Sequence, residues 1–141
     1  MAFVGTYEHT LDAKGRLVLP AKFRSHFADA AYLSPYEGCI ALWTPEGFQE
    51  MVERLLEGAR EGDTSPRAIR GLAANSEEVR PDAQGRIMMP PRLQAFANLD
   101  REIVICGAIQ RIEIWNASSW EAMADELDES VEIAFQQGSG I

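Results

Sequence analysis

A nine-residue phrase occurs twice in this chain of 141 residues, and no other feature constrains the fold as strongly. Residues 12–20 read DAKGRLVLP and residues 82–90 read DAQGRIMMP. Similarity resumes further along, where residues 40–44 align with residues 112–116. The two copies are 70 positions apart at the first match and 72 at the second, so the second copy carries two extra residues. A repeat of this length is a domain rather than a solenoid unit, and the chain is therefore a tandem duplication.

Each phrase predicts a tight turn between two strands. The aspartate can accept hydrogen bonds from the amides that follow it, and the glycine can adopt the positive φ that a hairpin connection requires. The arginine then opens the second strand, three apolar residues enter the core, and the proline ends the strand and can start a helix. Each copy should therefore hold one arginine beside a turn tip, fixed by the backbone on both sides.

The remaining pattern indicates a mixed α+β protein in which both repeats follow the same order of strands and helices. A threonine and a proline at 44–45 mark a helix start, and the apolar residues after them recur at helical spacing. Residues 111–115 read as a strand with Ile112 and Ile114 inward and Glu113 outward. We predict four segments: a first repeat at 1–63, a connecting helix at 64–76, a second repeat at 77–135 and a disordered tail at 136–141.

The net charge of −9 argues at first against nucleic acid, but the distribution of charge matters more. Residues 9–24 hold four basic residues against a single acid, whereas residues 113–132 hold seven acids and no base. A local basic patch can still bind phosphate, because the field at a phosphate depends on nearby charges more than on the total. The acidic balance should nevertheless weaken long-range attraction to DNA.

No pattern in the sequence points to catalysis, a metal or a cofactor. His9 and His26 have no cysteine or carboxylate partner at metal-ligand spacing. The sequence has no readable serine–histidine–aspartate set and no glycine-rich phosphate loop. Cys39 and Cys106 lie in apolar segments, which predicts reduced core residues. With no apolar run of membrane-spanning length, we expect a cytoplasmic protein with no membrane contact, no cofactor and no enzyme activity.

Arg16 and Arg86 are the sharpest candidates for a binding site. The plainer interpretation of each is a salt bridge to the aspartate four residues earlier. The two interpretations are compatible, because an aspartate can hold an arginine in the pose that meets a phosphate or a guanine. Surface solubility explains the other cations about as well as DNA does. The candidate DNA-binding residues are Lys14, Arg16, Lys22, Arg24, Arg86 and Arg92, with Asp12, Gly15, Asp82 and Gly85 supporting the motif.

Both Asp-x-x-Gly-Arg phrases, together with residues 3–12, 20–24 and 111–115, resemble the MraZ family of bacterial transcriptional regulators. Each half of that family is similar to the AbrB type of DNA-binding domain. The resemblance covers nearly the whole chain, and the aspartate and arginine of each phrase fall on the family's paired motif. It implies a swapped-hairpin β-barrel flanked by short helices, ring-like homo-oligomers and association with the nucleoid. It also implies binding to direct repeats of double-stranded promoter DNA ahead of a division and cell-wall gene cluster.

The sequence therefore predicts a sequence-specific DNA-binding transcriptional regulator. Gln84 stands where the first copy has Lys14, which predicts a smaller share of the DNA contact for the second repeat. Two alternatives stay open. One is a non-catalytic ring scaffold whose acidic helices dock other proteins, as some relatives of this fold bind toxins. The other is an enzyme, which no group of residues supports.

Overall fold

The computed structural model describes residues 2–140 and has a mixed α+β fold, as predicted. The strands are β1 (Thr6–Thr10), β2 (Arg16–Val18), β3 (Ala31–Tyr36), β4 (Cys39–Trp43), β5 (Glu77–Val79), β6 (Arg86–Met88), β7 (Glu102–Gly107) and β8 (Ile112–Asn116). The helices are α1 (Ala21–Arg24), α2 (Pro45–Arg60), α3 (Pro66–Asn75), α4 (Pro91–Phe96) and α5 (Ala117–Gln136), with a 3-10 turn at Ser25–Phe27 after α1.

The strands of the two repeats interleave. An antiparallel six-stranded sheet has the order β1-β7-β8-β4-β3-β5, so β1 of the first repeat pairs with β7 of the second. In the same way, β5 of the second repeat pairs with β3 of the first. Strands β2 and β6 pair with each other in a separate two-stranded ribbon. Within residues 2–140, the two strands that flank each predicted turn therefore pair with strands of the other repeat and not with each other.

The six-stranded sheet is open, although the resemblance implied a barrel. Strands β1 and β5 lie at its two edges, and the pairing among the described residues closes no barrel. One hydrophobic core joins the ribbon to the sheet, with Leu17 and Ile87 from the ribbon and Ile40 and Ile105 from the sheet, each at most 2% exposed. Both repeats contribute to this core, so the fold depends on the pairing of the two halves.

Helix α2 begins where the sequence predicts it. The Thr44 hydroxyl accepts a hydrogen bond of 3.0 Å from the amide three residues on, and Pro45 occupies the first turn. The helix packs on the face of the sheet opposite the main core, where Phe48 stacks on Tyr32 with ring centroids 4.4 Å apart. Helix α3 starts in the same way, with Ser65 as its cap.

The two extra residues of the second repeat lie before β7, because Val104 pairs with Trp115 as Tyr32 pairs with Trp43, already at the offset of 72. Residues 108–111 connect β7 to β8. Phe3 pairs with Ile109 in this connection, and each amide donates to the other's carbonyl at 2.9 and 3.0 Å. A Cβ at Gly107 would overlap the backbone of Phe3 and Val4. Position 107 therefore requires glycine, because the backbone of residues 3–4 lies so close to it.

Glu113 lies on the face of β8 opposite Ile112, as predicted, but it is only 9% exposed. Arg111 donates from Nε to Oε2 of this glutamate at 2.8 Å, and the indole N–H of Trp115 donates to Oε1 at 3.0 Å. The Arg111 guanidinium lies 3.9 Å from the ring centroid of Tyr36. Arg111 and Trp115 therefore cover a side chain that the alternation of residues along its strand marked as outward, and Arg111 in turn packs on Tyr36 of the first repeat.

The two cysteines are buried free thiols, as predicted. Burial raises the pKa of both thiols, that of Cys106 to about 12, and the nearby Glu113 carboxylate raises each further. Both groups are therefore neutral at physiological pH and act as small apolar residues.

The last helix, α5, extends to Gln136, within the segment predicted as a tail. Turns follow it, and the amide of Gly138 donates to the carbonyl of Phe135 at 3.0 Å. Ile141 lies outside the described residues, so disorder of the tail stays a prediction.

Candidate nucleic-acid interface

The two predicted turns have matching hydrogen bonds. Oδ1 of Asp12 accepts from the backbone amides of Lys14 and Arg16, both at 2.9 Å. Oδ1 of Asp82 accepts from the two corresponding amides of the second turn, also at 2.9 Å. The turn glycines have φ of 78° and 79°, and each donates its amide to the aspartate carbonyl at 3.0 and 2.9 Å. The same turn therefore forms in both repeats, because each has the aspartate side chain and the left-handed glycine that determine it.

Each aspartate also holds the side chain of its arginine. Oδ2 accepts from the arginine Nε at 2.7 Å in both turns, so the ion pair that the sequence suggested is present. The backbone amide of Arg16, followed by its guanidinium, lowers the pKa of Asp12 below the usual range. The amide and guanidinium of Arg86 lower the pKa of Asp82 to about 2. Both carboxylates are therefore ionised at neutral pH, when they can orient the arginines.

The ion pair uses only one nitrogen of each guanidinium. Among the described residues, the terminal nitrogens of Arg16 and Arg86 have no hydrogen-bond acceptor. The Arg16 side chain is 29% exposed and that of Arg86 is 36% exposed, so solvent and ligands can reach them. A guanidinium with two unused terminal donors matches a phosphate or the O6 and N7 atoms of guanine. Each turn thus presents one oriented cation.

The β2–β6 ribbon brings the two arginines close together. In its antiparallel register Arg16 lies opposite Met88, and Val18 lies opposite Arg86. These four residues form the outer face, because the residues between them are buried. The arginines therefore occupy diagonal corners of the ribbon, roughly 7–8 Å apart between Cα atoms. Both fit within one DNA major groove, which is about 12 Å wide.

The other predicted cations have different surroundings. Lys14 is exposed in the first turn. Nζ of Lys22 lies 5.1 Å from the ring centroid of Tyr7, so this lysine packs on an aromatic side chain of β1. Arg92 donates from Nη1 to the amide oxygen of Asn75 at 2.9 Å, which links α4 to the end of α3. Lys22 and Arg92 therefore have partners outside the turns.

Arg24 belongs to the first repeat but lies against the turn of the second, where it covers Gly85. Gln94, which aligns with Arg24 at the offset of 70, covers Gly15 of the first turn. Sequence reasoning placed Arg24 on a helix without a specific partner and did not single out Gln94. The alignment of the two repeats was the only signal that could have connected them.

A small cavity of about 280 Å³ opens beside the first turn. Asp12, Gly15 and Gln94 line it together with Asp100 and Arg101, which precede β7. Sequence reasoning also missed Arg101, because this arginine belongs to neither phrase and the adjacent aspartate offsets its charge.

Metal sites, membrane-spanning helices and apolar ligand sites each have their own requirements. Within residues 2–140, no group of three or more histidine, cysteine, aspartate or glutamate side chains could hold a metal ion. No helix of that same part of the chain is long and apolar enough to cross a membrane. An apolar groove of about 350 Å³ lies between α2 and α3, with Tyr32, Phe48 and Leu72 among its lining residues.

Comparison with known proteins gives matches along nearly the whole sequence. A family model described as "MraZ protein, putative antitoxin-like" matches residues 2–67 and again residues 72–138, one match for each repeat. Transcriptional regulator MraZ of Paenarthrobacter aurescens is 42% identical over 132 residues, which cover 89% of each chain. The relative of the same name from Cutibacterium acnes is 39% identical over 129 residues, or 91% of each chain. That from Mycolicibacterium gilvum is 37% identical over 140 residues, or 98% of this chain and 97% of the relative.

Proposed function

The chain belongs to the MraZ family, and on that premise we propose that it is a sequence-specific DNA-binding regulator of transcription. The curated relatives carry the name of transcriptional regulator, which supports the regulatory part of the proposal. The sites on DNA are direct repeats in a promoter, and the regulated genes are those of a division and cell-wall cluster. The protein works in the cytoplasm in association with the nucleoid, and it has no catalytic step.

The observation that carries this proposal is the outer face of the β2–β6 ribbon. Two arginines stand on it, each fixed through Nε and each with terminal nitrogens that no described residue occupies. A two-stranded ribbon can enter the major groove, and an arginine that donates twice to guanine is the commonest specific contact there. Arg16 and Arg86 therefore read base edges. The other predicted cations position the protein on the DNA backbone: Lys14, Lys22, Arg24 and Arg92.

Several copies of this acidic chain must bind the same DNA to reach a high affinity. Its net charge of −9 opposes long-range attraction, and one ribbon offers only a small contact. A homo-oligomeric ring sets several ribbons at fixed spacing, and linking weak sites raises apparent affinity by roughly 10²–10⁴ when all can engage. Ribbons on one side of a duplex meet equivalent grooves about 10 base pairs apart, which matches direct repeats. The interleaving of strands from the two repeats supports the swapped hairpins of this proposal, although the pairing among the described residues closes no barrel.

The test starts with selection of bound sequences from random DNA by the full chain. Duplexes with one, two or three copies of the selected half-site are then compared with a three-copy duplex that carries about 5 extra base pairs between copies. Affinity should climb steeply with copy number and collapse with the insertion, because the insertion turns the sites to opposite sides of the duplex. Equal binding to one copy and to three would refute the ring mechanism, and failure to select any sequence would refute sequence-specific recognition.

A second candidate function is that of a protein-binding scaffold. The end of α5 exposes Val131, Ile133 and Phe135, each more than half exposed, beside many acidic residues. Such a surface suits contact with another protein. The salt dependence of DNA binding separates the candidates, because phosphate contacts release counterions and make affinity fall steeply as salt rises. A flat salt response would favour the scaffold.

A further inference from the structure

Arg24 and Gln94 occupy the same position in the two repeats, and each binds the end of its own ribbon strand. Nε of Arg24 donates to the carbonyl of Leu19 at 2.9 Å. Nε2 of Gln94 donates to the carbonyl of Met89 at 2.7 Å. A neutral amide therefore satisfies the same carbonyl as a guanidinium does. The hydrogen bond to the Leu19 carbonyl therefore does not explain why the first repeat has a charged residue at position 24.

The ribbon carries each of these side chains to the turn of the opposite repeat. The amide of Leu19 donates to the carbonyl of Gly85, and the amide of Met89 donates to the carbonyl of Gly15, both at 2.9 Å. A Cβ at Gly85 would lie 3.0 Å from Cζ of Arg24, which shows how closely the guanidinium covers the second turn. A Cβ on the first turn's glycine would in turn lie 2.6 Å from Nε2 of the glutamine.

At two matching positions, this exchange gives each turn one cation. The first turn has Lys14 beside its arginine and a neutral Gln94 over its glycine. The second turn has a neutral Gln84 beside its arginine and the charged Arg24 over its glycine. Counting these two positions within each repeat leaves the second turn two cations short. Counting those that the fold brings together removes the deficit.

Arg24 also has donors to spare. The residue is exposed, and only its Nε forms a hydrogen bond within the part of the chain that the structure describes. We propose that Arg24 and Arg86 together form one composite DNA-binding site at the second turn, in which Arg86 contacts the groove and Arg24 binds an adjacent DNA phosphate. This inference rests on the proposed function, because it requires the ribbon to face DNA.

The main test replaces Arg24 with the residue that the second repeat has at this position. Arg24→Gln keeps a donor for the Leu19 carbonyl, so the thermal unfolding temperature should stay that of the wild type. The affinity of this variant for a duplex selected by the wild-type chain should fall at least about fivefold. The slope of log affinity against log salt should become shallower by about 0.9 for each phosphate that the variant no longer binds. The matched variant Gln94→Arg adds a guanidinium over the first turn and should raise both the affinity and the slope.

Double variants locate the effect. Residues that act at one site are coupled, whereas independent sites add. Arg24→Gln should therefore cost less in the Arg86→Ala background than in the wild type, and the full amount in the Arg16→Ala background. Wild-type affinity and salt slope for Arg24→Gln, or coupling to Arg16 in place of Arg86, would overturn the composite site. If Arg16→Ala and Arg86→Ala also bind normally, the ribbon does not face DNA, and the proposed function fails with it.

Discussion

Arg16→Ala tests the central claim that the ribbon arginines read DNA. The substitution removes a guanidinium whose two terminal nitrogens have no partner among the described residues. A contact in which arginine donates twice to guanine discriminates by about 1–3 kcal/mol, which corresponds to a loss of roughly 5- to 160-fold in affinity for each site. In a ring, the loss is repeated in every subunit that touches the same duplex. We therefore expect most of the affinity for a multi-copy duplex to disappear.

The fold should survive this change. The turn keeps the two hydrogen bonds from backbone amides to Oδ1 of Asp12, and it loses only the one from Nε to Oδ2. The ion pair that disappears is accessible to solvent, and such pairs contribute little to stability. The free energy of unfolding, measured by urea denaturation, should thus change little while fluorescence anisotropy reports the loss of DNA binding.

Arg16→Lys is the matched control, because it keeps the charge and loses the planar guanidinium. A lysine cannot donate in parallel from two terminal nitrogens of one plane, so the preference for selected over random DNA should fall more than the affinity for random DNA. Unchanged binding by the alanine variant at normal stability would refute the reasoning. Full specificity in the lysine variant would show that Arg16 acts only as a point charge.

Three further predictions concern the fold. Glu113→Ala should lower the free energy of unfolding in urea by about 3 kcal/mol, since it leaves the mostly buried Arg111 without its carboxylate; a loss below about 1 kcal/mol would contradict this. Gly107→Ala should lower the free energy of unfolding by about 1–3 kcal/mol, because the new methyl group clashes with the backbone of Phe3 and Val4. Gly71→Ala places its methyl group in open space and should not lower the free energy of unfolding. The pKa of Asp82 lies at about 2, below the usual 3.8, so its ionised form stabilises the fold above about pH 4 and that contribution is lost towards pH 2. The stability difference between wild type and Asp82→Asn should shrink over this range, and a difference independent of pH would disprove the linkage.

The sequence alone determined the features that depend on neighbouring residues. Each turn forms from an aspartate that bonds the following amides and a glycine that accepts a positive φ, so the phrase predicted both the turns and the pairing of Arg16 with Asp12. The start of α2 at Thr44 is equally local, because a side-chain cap and a proline suffice to begin a helix. The duplication itself predicted that the second half would repeat the first.

Only the tertiary structure decided which strands pair and which charges meet. Strand pairing over long range is chosen by the burial of apolar faces from both repeats together, and no local pattern shows that β2 pairs with β6. The same long-range packing places Arg111 between Glu113 and Tyr36 of the first repeat, so Glu113 is buried although its own strand marks it as outward. It also carries Arg24 to the turn of the second repeat, where Gln84 takes the place of Lys14. The net charge at a turn depends on which residues lie near it in space, and here the register of the ribbon decides which residues these are.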